Sequence, residues 1–493
     1  MGSMAPLPQI ERTNLPGSTR SISRIINGLW QLAGGHDEHV DLASAAGVMD
    51  DLIQEGFDTF DMADHYGDAE LVVGKHNELA RTTGNSKSVS FSKWCPEEDG
   101  VMSFENAEAA VDRALQRMGQ ERIELMQYHA WNFCDPTYLH NLTHLQRLQK
   151  NGKIGLIGLT NTDAAHLKLL LDSGFRIATN QVPTSVIDRR LTRGRLNDIC
   201  LKHDVGILAY GTLLGGFLSE KWLDQPEPAD DESKPLNWSL KKALDKIAKR
   251  HGVSISAVAC RYVLDIPSVK AIIVGTRLTS DSKRYLPRNL ETFSVELTED
   301  DRVLIKEAQK GLTDVPGDCG DEYRRPPYLT ASGDLSHHLS DRDRSDEVRT
   351  AIAKGQRVEY MSGSKWEPIA GYCRAVRTGN CIRVSGTTAN SPVSSLSAIG
   401  GSSPSSQTVH ILDIIEGALK AWGLQVSQAH GWVFQNAGVL PANTLVVSGL
   451  IGDEMLVEIE AEAEVGCADN GVVRVSNKAV AKTTQTSPTH KSK

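Results

Sequence analysis

Residues 123–161 read IELMQYHAWNFCDPTYLHNLTHLQRLQKNGKIGLIGLTN. Two short apolar runs, IELMQYHA (123–130) and IGLIGLTN (154–161), flank a stretch, LHNLTHLQRLQKNG (139–152), whose apolar residues recur at helical spacing. Parallel strands need a crossover connection of a dozen or more residues, which is usually a helix. The segment therefore predicts a strand–helix–strand unit with parallel strands.

The same alternation covers roughly 270 residues, the length of a barrel built from eight strand–helix units. Six more apolar runs complete a set of eight predicted strands: IINGLW (25–30), GFDTFDMA (56–63), VSFSKW (89–94), FRIATNQV (175–182), GILAYGT (206–212) and VKAIIVGT (269–276). A doubly wound α/β sheet is the structural alternative, but eight regular units fit a closed barrel better. We therefore predict the α/β class and a (β/α)8 (TIM) barrel.

The bulk composition excludes several classes of protein. The chain has 493 residues and a formal net charge of -9, whereas surfaces that bind nucleic acids are clustered and basic. The sequence contains neither an apolar stretch long enough to span a membrane nor an apolar leader. The eight cysteines show no zinc-binding spacing, so we expect reduced thiols, a cytoplasmic location and no metal site.

Changes in composition divide the chain into segments. The periodic pattern stops near residue 312, and a stretch rich in Pro, Gly, Asp and Arg follows it. A second pattern of alternating segments and one helix, centred on 409–422, comes next. The predicted segments are a flexible N-terminus (1–20), the barrel (21–312), a covering tail or linker (313–350), a smaller α+β domain (351–465) and a mostly disordered tail (466–493).

Ionisable side chains follow several predicted strands at their carboxyl ends, where barrel enzymes build their active sites. Taken singly, Asp61 could be a helix cap, Lys93 a surface lysine and His129 a core histidine. Together with Tyr66 they suit the reduction of a carbonyl group. A tyrosine hydroxyl can donate the proton, a lysine ammonium lowers the tyrosine pKa, an aspartate fixes the lysine, and a neutral histidine orients the carbonyl oxygen.

These residues carry a resemblance to the aldo-keto reductases. FDTFDMADHYGDAE (57–70) resembles the family's signature, in which an Asp and a Tyr five residues later open a catalytic tetrad. FSKW resembles the strand that carries the tetrad lysine, and IELMQYHAWN the strand that carries the histidine. The resemblance spans about residues 20–312 and implies a (β/α)8 barrel that binds a nicotinamide cofactor without a Rossmann motif. The implied catalytic residues are Asp61, Tyr66, Lys93 and His129.

The resemblance also implies a cofactor site, with the carboxamide held by the GLTN pair and by the amide in TNQV, and an aromatic ring stacked on the nicotinamide. The implied residues are Thr160, Asn161, Gln181, Tyr210, Gly211, Leu213, Gly275, Thr276, Arg277, Lys283, Arg284 and Asn289. The segment GTRLTSDSKRYLPRN (275–289) is longer than is usual, with Arg288 where Glu is common. Its positive charge favours NADPH over NADH, although Lys283 and Arg284 could instead form a solvated basic face.

The substrate is expected to be a small carbonyl compound, and the sequence does not identify it. The predicted apolar walls of its pocket are Trp30, Trp131 and Phe133. The leading interpretation is an NADPH-dependent reductase of an aldehyde or ketone. A non-catalytic sensor or scaffold that binds NADPH, and a bifunctional enzyme that processes imines, are the alternatives.

The C-terminal domain resembles the RidA/YjgF family over about residues 365–465. The similar segments are GYCRAVRTGNCIRVSGTTA (371–389), QTVHILDIIEGALKAWG (407–423) and PANTLVVSGLIGDEMLVEIEAEA (441–463). The resemblance implies a chorismate-mutase-like α+β fold and a homo-oligomer formed through this domain. Asn443 replaces the arginine of the family's Pro-Ala-Arg motif, and an amide cannot replace a fixed positive charge against a carboxylate.

We therefore expect the C-terminal domain to have a structural or regulatory role. Only three residues separate its helix from the next helical stretch, which is too short for a sheet strand and its turns. The domain is thus predicted to lack one strand, or to have the place of that strand filled by another segment, for which VVRVSNKAV (472–480) is the candidate. We also expect the barrel to keep its activity when it is separated from this domain by cleavage within 313–350.

Overall fold

A computed structural model describes residues 9–33, 41–85, 88–96, 103–223, 238–279, 284–324, 346–364, 366–393, 395–422, 450 and 454–464. Several predictions fall outside these residues: the role of Lys283, the role of Asn443, the missing strand after residue 422, the linker over 325–345 and the disordered tail (466–493). Among the described residues, no helix is both long and apolar enough to cross a membrane.

Eight parallel strands form a closed barrel, in the order β10-β3-β4-β5-β6-β7-β8-β9. The prediction of a (β/α)8 barrel is confirmed. The strand bounds are β3 Ile25–Gly28, β4 Thr59–Asp61, β5 Val89–Trp94, β6 Ile123–His129, β7 Ile154–Thr160, β8 Thr179–Pro183, β9 Gly206–Tyr210 and β10 Val269–Gly275. β8 begins later than predicted because the backbone N–H of Phe175 donates to the Leu170 carbonyl, at the end of the preceding helix.

The helices that follow the strands bury one apolar face each. The helix at 104–118 is an example: the Ser103 hydroxyl caps its first turn, and Gly119 ends it with φ 59°. The helices before residue 325 are α1 Leu42–Gln54, α2 Ala69–Thr83, α3 Phe104–Met118, α4 Thr137–Lys150, α5 Ala164–Asp172, α6 Arg190–Arg193, α7 Leu196–His203, α8 Trp238–His251, α9 Ile255–Leu264, α10 Leu286–Glu291, α11 Glu299–Gln309 and α12 Asp321–Arg324.

A hairpin of two short strands closes the N-terminal end of the barrel. β1 (Arg12–Asn14) pairs antiparallel with β2 (Ser21–Ser23). Leu15 and Ile22 are buried in a cluster with the inward-facing residues of the barrel strands. The prediction of a flexible N-terminus is therefore wrong for residues 12–20, because the hairpin buries apolar side chains that a free segment would leave in water.

The C-terminal part of the chain, which the sequence predicts to be a separate domain and which is called the C-terminal domain below, contains a four-stranded sheet in the order β11-β12-β13-β14, in which each described pair is antiparallel. Its strands are β11 Val358–Tyr360, β12 Ala375–Thr378, β13 Cys381–Thr388 and β14 Glu458–Glu464, and its helices are α13 Asp346–Ala353, α14 Trp366–Ala370 and α15 Pro404–Ala421. α15 begins before the predicted helix because the Ser403 hydroxyl caps it and Pro404 suits a first turn. The apolar side of α15 packs on the sheet.

The C-terminal domain is docked on the barrel through α15 and α5. Val393, Ile399 and Val409 are buried in the same apolar cluster as Leu167 of α5. At the end of α5, the Ser406 hydroxyl donates to Asp172 at 2.5 Å, and the Gly400 N–H donates to the Ser173 hydroxyl at 2.7 Å. The two domains therefore share a core, which argues against the expectation that the barrel works unchanged without its C-terminal domain.

Candidate active site

The barrel brings the four predicted catalytic residues to one mouth. Asp61 ends β4, Lys93 lies near the end of β5 and His129 ends β6. Because neighbouring strands are parallel and in register, these strand ends lie side by side. Tyr66 follows β4 in a turn in which its N–H donates to Ala63, just before α2. All four side chains therefore belong to the carboxyl end of the barrel.

Asp61 and Lys93 form a buried ion pair. Lys93 Nζ donates to Asp61 Oδ2 at 2.5 Å and to the Met62 carbonyl at 2.9 Å. Asp61 Oδ1 accepts two further bonds at 2.8 Å, from the amides of Gln127 and Gln181. Burying two charges is costly unless geometry and hydrogen bonds compensate. Here the carboxylate is bonded through both oxygens, which fixes the position of the lysine.

Tyr66 lies beside this pair, with Lys93 Nζ 4.8 Å from the centre of its ring. Burial raises the Tyr66 pKa well above its ordinary value, and the charge of Asp61 raises it further. The expectation that Lys93 lowers this pKa is therefore not met. The physical reason is that burial, the largest cause, penalises the charged phenolate, and that the Asp61 carboxylate beside the lysine opposes the effect of the lysine charge. At neutral pH the hydroxyl is a neutral phenol, which is the form that donates a proton.

Aromatic rings surround His129 at the mouth. The ring centre of Trp131 lies 4.0 Å from that of His129, and the ring of Tyr323 approaches His129 edge-on at 5.2 Å. Trp131 and Tyr323 are themselves 6.0 Å apart. Phe133, also predicted as a pocket wall, is buried, whereas Trp30 lies half-buried in a single turn of 3-10 helix directly after β3.

The residues predicted to hold a carboxamide lie together at the ends of β7, β8 and β9. Asn161 has φ 53°, and its Oδ1 accepts a bond from the Tyr210 hydroxyl at 2.8 Å. The Thr160 hydroxyl donates to the Gln181 carbonyl at 3.2 Å. The amide nitrogen of Gln181 already donates to Asp61 and to Gln127. The amide oxygen of Gln181 is therefore the atom of this side chain that can contact a ligand. Gly211, with φ 71°, and Leu213 follow directly after β9.

The residues predicted for the adenosine end lie after β10. The Thr276 N–H donates to the Gly28 carbonyl at 2.8 Å, which anchors the segment that includes Gly275. Arg277 and Arg284 are both exposed, and the Arg284 guanidinium donates to the Tyr285 hydroxyl at 2.7 Å. Asn289 is half-buried in α10. The structure thus presents three exposed arginines after β10, Arg277, Arg284 and Arg288, in a segment of which Lys283 lies outside the described residues.

A tail that follows the barrel helices covers part of the mouth. Arg324 donates to the Ala130 carbonyl at 2.6 Å and to the Asn161 carbonyl at 2.6 Å. Glu322, 1% exposed, forms an ion pair at 2.6 Å with Arg190, whose side chain is 3% exposed. Tyr323 lies between these anchored residues and faces the site. The sequence indicated a covering tail but did not single out Tyr323 or Arg324.

Gln127 is a further residue of the site that the sequence analysis missed. It is fully buried, and its amide nitrogen bonds Asp61 while its amide oxygen accepts from Gln181. A signal existed, because alternate residues of a strand face the same side. Gln127 precedes His129 by two residues, so strand alternation alone would have placed it on the same face.

Asp64, His65 and Cys95 form the one group among the described residues whose ligand atoms lie close enough to hold a metal ion, within 4.8 Å of one another. Burial raises the pKa of the Cys95 thiol well above its ordinary value. At neutral pH this thiol is therefore protonated, and the Asp64 carboxylate contacts His65 Nδ1 at 3.0 Å. The clearest structural contact of this group is the bond from the Cys95 N–H to the Asp64 carboxylate at 3.0 Å.

The chain is similar to characterised oxidoreductases over its barrel. An aryl-alcohol dehydrogenase of Pestalotiopsis microspora is 24% identical over 262 residues, covering 51% of this chain and 63% of that protein. A glyoxal reductase of Bacillus subtilis (strain 168) is 27% identical over 252 residues, covering 50% of this chain and 78% of that protein. The chain thus spans less than two thirds of the first of these relatives.

The fold and a family model agree with this similarity. A solved glycerol dehydrogenase of Gluconobacter oxydans superposes with a TM-score of 0.50 at 22% identity, covering 65% of this chain and 99% of that chain, which is a likeness of fold alone. The model described as "Aldo/keto reductase family" matches residues 24–310, more than half of the sequence. The chain therefore belongs to the aldo/keto reductase family.

Proposed function

We propose that the barrel is an NADPH-dependent oxidoreductase that reduces the carbonyl group of an aldehyde or ketone to an alcohol. The observation that carries this proposal is the Asp61–Lys93 ion pair, buried at the barrel mouth beside the neutral hydroxyl of Tyr66. An NADPH-binding scaffold without catalysis has no need of a buried charge pair behind a phenol, because burial of that pair is costly.

Each of the four residues has a distinct role in this proposal. Tyr66 donates the proton to the carbonyl oxygen, and the raised pKa keeps it protonated until it reacts. Lys93 places a positive charge near the oxygen that becomes negative, and Asp61 holds Lys93 in position. His129 orients the same oxygen by a hydrogen bond. The rings around His129 exclude water from the reacting atoms.

The donor set at the ends of β7 and β8 fits a nicotinamide carboxamide. A carboxamide offers two N–H donors and one acceptor oxygen, and it therefore needs both kinds of partner. The Gln181 amide oxygen and the Thr160 and Asn161 side chains supply them, and Tyr210 supplies an aromatic ring beside Asn161. When bound, the cofactor supplies the hydride for the carbonyl carbon.

We assign NADPH rather than NADH because of the basic residues after β10. A 2′-phosphate is the only group that distinguishes the two cofactors, and arginine is the side chain best suited to bind phosphate through two bonds. Arg277 and Arg284 are exposed and close to each other in sequence. With Asn289 they form the proposed adenosine end, to which Lys283 contributes a further positive charge.

The substrate is proposed to be an aldehyde or ketone of small to moderate size. The aryl-alcohol dehydrogenase and the glyoxal reductase to which the barrel is similar are named for alcohol and carbonyl substrates. Trp131 and Tyr323, 6.0 Å apart beside His129, provide aromatic surfaces against which a planar substrate can pack. Phe133 and Trp30 complete the proposed apolar walls.

For the rest of the chain we propose a division after residue 312, with a covering tail to residue 350 and a RidA/YjgF-like domain beyond it. The described antiparallel sheet with α15 on one face supports this proposal. Asn443, in place of an arginine, argues against hydrolysis of imines that carry a carboxylate. This domain is therefore proposed to support the barrel.

The test is an assay of purified full-length protein for NADPH oxidation with a panel of aliphatic and aromatic aldehydes, ketones and imines. We expect turnover with at least one aldehyde or ketone and none with NADPH alone. Saturable NADPH binding without turnover of any member of the panel would favour the non-catalytic alternative. Reduction of imines alone would favour the imine-processing alternative.

A further inference from the structure

A histidine outside the proposed chemistry is held between two carboxylates from different domains. His166 of α5 is fully buried. Its Nδ1 lies 2.7 Å from Asp163 Oδ2, and its Nε2 lies 3.2 Å from both carboxylate oxygens of Asp413 in α15. Asp413 is itself 1% exposed and lies 247 residues further along the chain. The C-terminal domain thus contributes a buried charge to a residue of the barrel.

His166 is positively charged in this arrangement. Burial alone would lower its pKa, but the charges of Asp163 and Asp413 raise that pKa to about 10. Both ring nitrogens then carry protons and donate to the two carboxylates. A charged ring bonded on both sides has a fixed position and a fixed plane.

The other ionisable groups that face this cluster do not replace either carboxylate. Burial lowers the pKa of His410 to about 4 and raises that of Tyr138, so both are neutral at neutral pH. Arg324 faces Asp163, and Asp318, whose pKa burial raises to about 6, faces it from the tail. Asp413 is therefore the acidic partner of His166 that the C-terminal domain provides.

His166 connects this cluster to the proposed substrate wall. Its ring stacks on Phe133 with centres 3.7 Å apart and planes 10° apart. The Arg324 guanidinium lies 4.1 Å from the centre of the same Phe133 ring. Two flat cationic groups at these distances lie on opposite faces of the ring, a favourable arrangement when the groups are shielded from water, so the buried Phe133 is held from both sides in the loop that also carries Trp131.

Asp163 extends the connection to the proposed cofactor end. Its Oδ1 accepts bonds from the N–H groups of Ala165 and His166 at 2.9 and 3.0 Å, which caps α5. Asn161, proposed to contact the carboxamide, lies two residues before this cap. Because the His166 ring bonds the capping carboxylate through Oδ2 and stacks on Phe133, the loops after β6 and β7 meet at this ring.

We propose that Asp413 is a positioning residue of the active site: it holds His166, whose contact with Phe133 fixes the loop after β6 and so places Trp131 against the carbonyl substrate. The C-terminal domain thereby fixes one substrate wall of the barrel, the Trp131 ring. This inference rests on the proposed function, because Trp131 is a pocket wall only if the mouth binds a carbonyl compound.

The test uses the full-length variants Asp413→Asn and Asp413→Ala. The asparagine keeps the shape of the side chain and removes its charge, and the alanine removes both. Ser406→Ala is the matched control, because Ser406 lies on the same helix and bonds the same barrel helix, through Asp172, without touching His166. The readouts are KM and kcat for a carbonyl substrate of the panel, the Kd of NADPH, and the titration of His166 by NMR, assigned with His166→Gln.

We expect Asp413→Ala to raise KM roughly tenfold through misplacement of the wall, with kcat and the NADPH Kd within about threefold of wild type. Asp413→Asn should show a smaller rise, and both variants should lower the His166 pKa. Ser406→Ala should leave KM and the titration unchanged. A wild-type KM in both Asp413 variants despite a lowered His166 pKa would overturn the proposal, as would an equal rise in Ser406→Ala.

Separate measurements test the proposed function and this inference, so one can be refuted without the other. If Tyr66→Phe kept wild-type turnover, the assignment of the chemistry would be wrong, whereas the NMR titration would still show whether Asp413 holds the charge of His166. An unshifted His166 titration in Asp413→Asn would contradict the inference whatever the activity of the enzyme.

Discussion

The hydroxyl of Tyr323 lies 3.2 Å from the hydroxyl of Tyr210, and Tyr210 donates its own proton to Asn161. Tyr323 is therefore the donor in the first of these contacts. A residue that follows the barrel helices thus bonds the ring proposed to stack on the nicotinamide. The covering tail is part of the site wall, and its anchoring should affect catalysis.

Glu322→Gln should loosen the tail. The substitution removes the charge that compensates Arg190 in a buried ion pair, and breaking such pairs costs about 3–5 kcal/mol. Because Asp188 still pairs with Arg190 at 2.7 Å, we expect the lower end of this range. Hydrogen exchange of the peptide covering 313–324 should accelerate, and the KM for the carbonyl substrate should rise.

Asp314→Asn is the control for this experiment. Asp314 lies in the same tail and forms ion pairs with Arg189 and Arg193, but its side chain is 43% exposed. Exposed pairs contribute about 0–1 kcal/mol. Equal exchange rates in the Glu322 and Asp314 variants would show that the buried pair does not anchor the tail.

Asp61→Asn should destabilise the barrel. The change leaves the Lys93 ammonium buried without its carboxylate, and removal of one partner of a buried pair costs about 3–5 kcal/mol. Denaturant unfolding measures the change. Asp58→Asn, which removes a more exposed partner of Arg12 close by in the sequence, should cost far less. Similar losses in the two variants would argue against a tightly coupled Asp61–Lys93 pair.

The kcat of carbonyl reduction should not fall with rising pH until the pH exceeds about 10, the ordinary tyrosine pKa. Tyr66 donates only while it is protonated, and burial and the Asp61 charge raise its pKa. Activity is therefore retained below that raised pKa and is lost as the pH rises through it. Because the Asp61 charge contributes to the rise, Asp61→Asn should move the loss of kcat to lower pH. A fall in the kcat of the wild-type enzyme as the pH rises through neutrality would contradict the assignment of Tyr66 as the proton donor.

Arg277→Ala should weaken NADPH binding by roughly tenfold or more and leave NADH binding unchanged, because only NADPH has a 2′-phosphate. Fluorescence titration with both cofactors measures the effect. Arg302→Ala is the control, since Arg302 is an arginine of α11 that pairs with Asp265 at 2.5 Å. An equal loss for the two cofactors would place Arg277 away from the phosphate.

Much of the barrel was predictable because its strands are short apolar runs between amphipathic helices. β5 has the bounds that VSFSKW indicated, and Asp61, Lys93 and His129 follow from the strand ends. Gln127 was within reach, since strand alternation places it beside His129. The hairpin before β3 was not predicted, because its polar, Pro-rich sequence resembles a free terminus and its pairing depends on the barrel floor.

The contacts between domains could not be predicted for a different reason. Asp413 and His166 are 247 residues apart, and each has an ordinary place in its own helix. Neither helical periodicity nor a local motif reports which faces of α5 and α15 meet. The position of Tyr323 could not be predicted either. The short tail segment that contains Tyr323 has no periodic pattern, and the position of this segment depends on the buried ion pair of Glu322 with Arg190.

The most direct test of the central claim is the comparison of Tyr66→Phe with wild type in NADPH-dependent carbonyl reduction, with cofactor binding measured on the same samples. The ring remains and only the hydroxyl is removed, so we expect NADPH binding to persist while kcat falls by about two to four orders of magnitude, the scale of one acid–base group. Tyr372→Phe, which removes a hydroxyl bonded to Arg374 in the C-terminal domain, should leave both unchanged. A Tyr66→Phe enzyme with nearly wild-type kcat would contradict the assignment of Tyr66 as the proton donor.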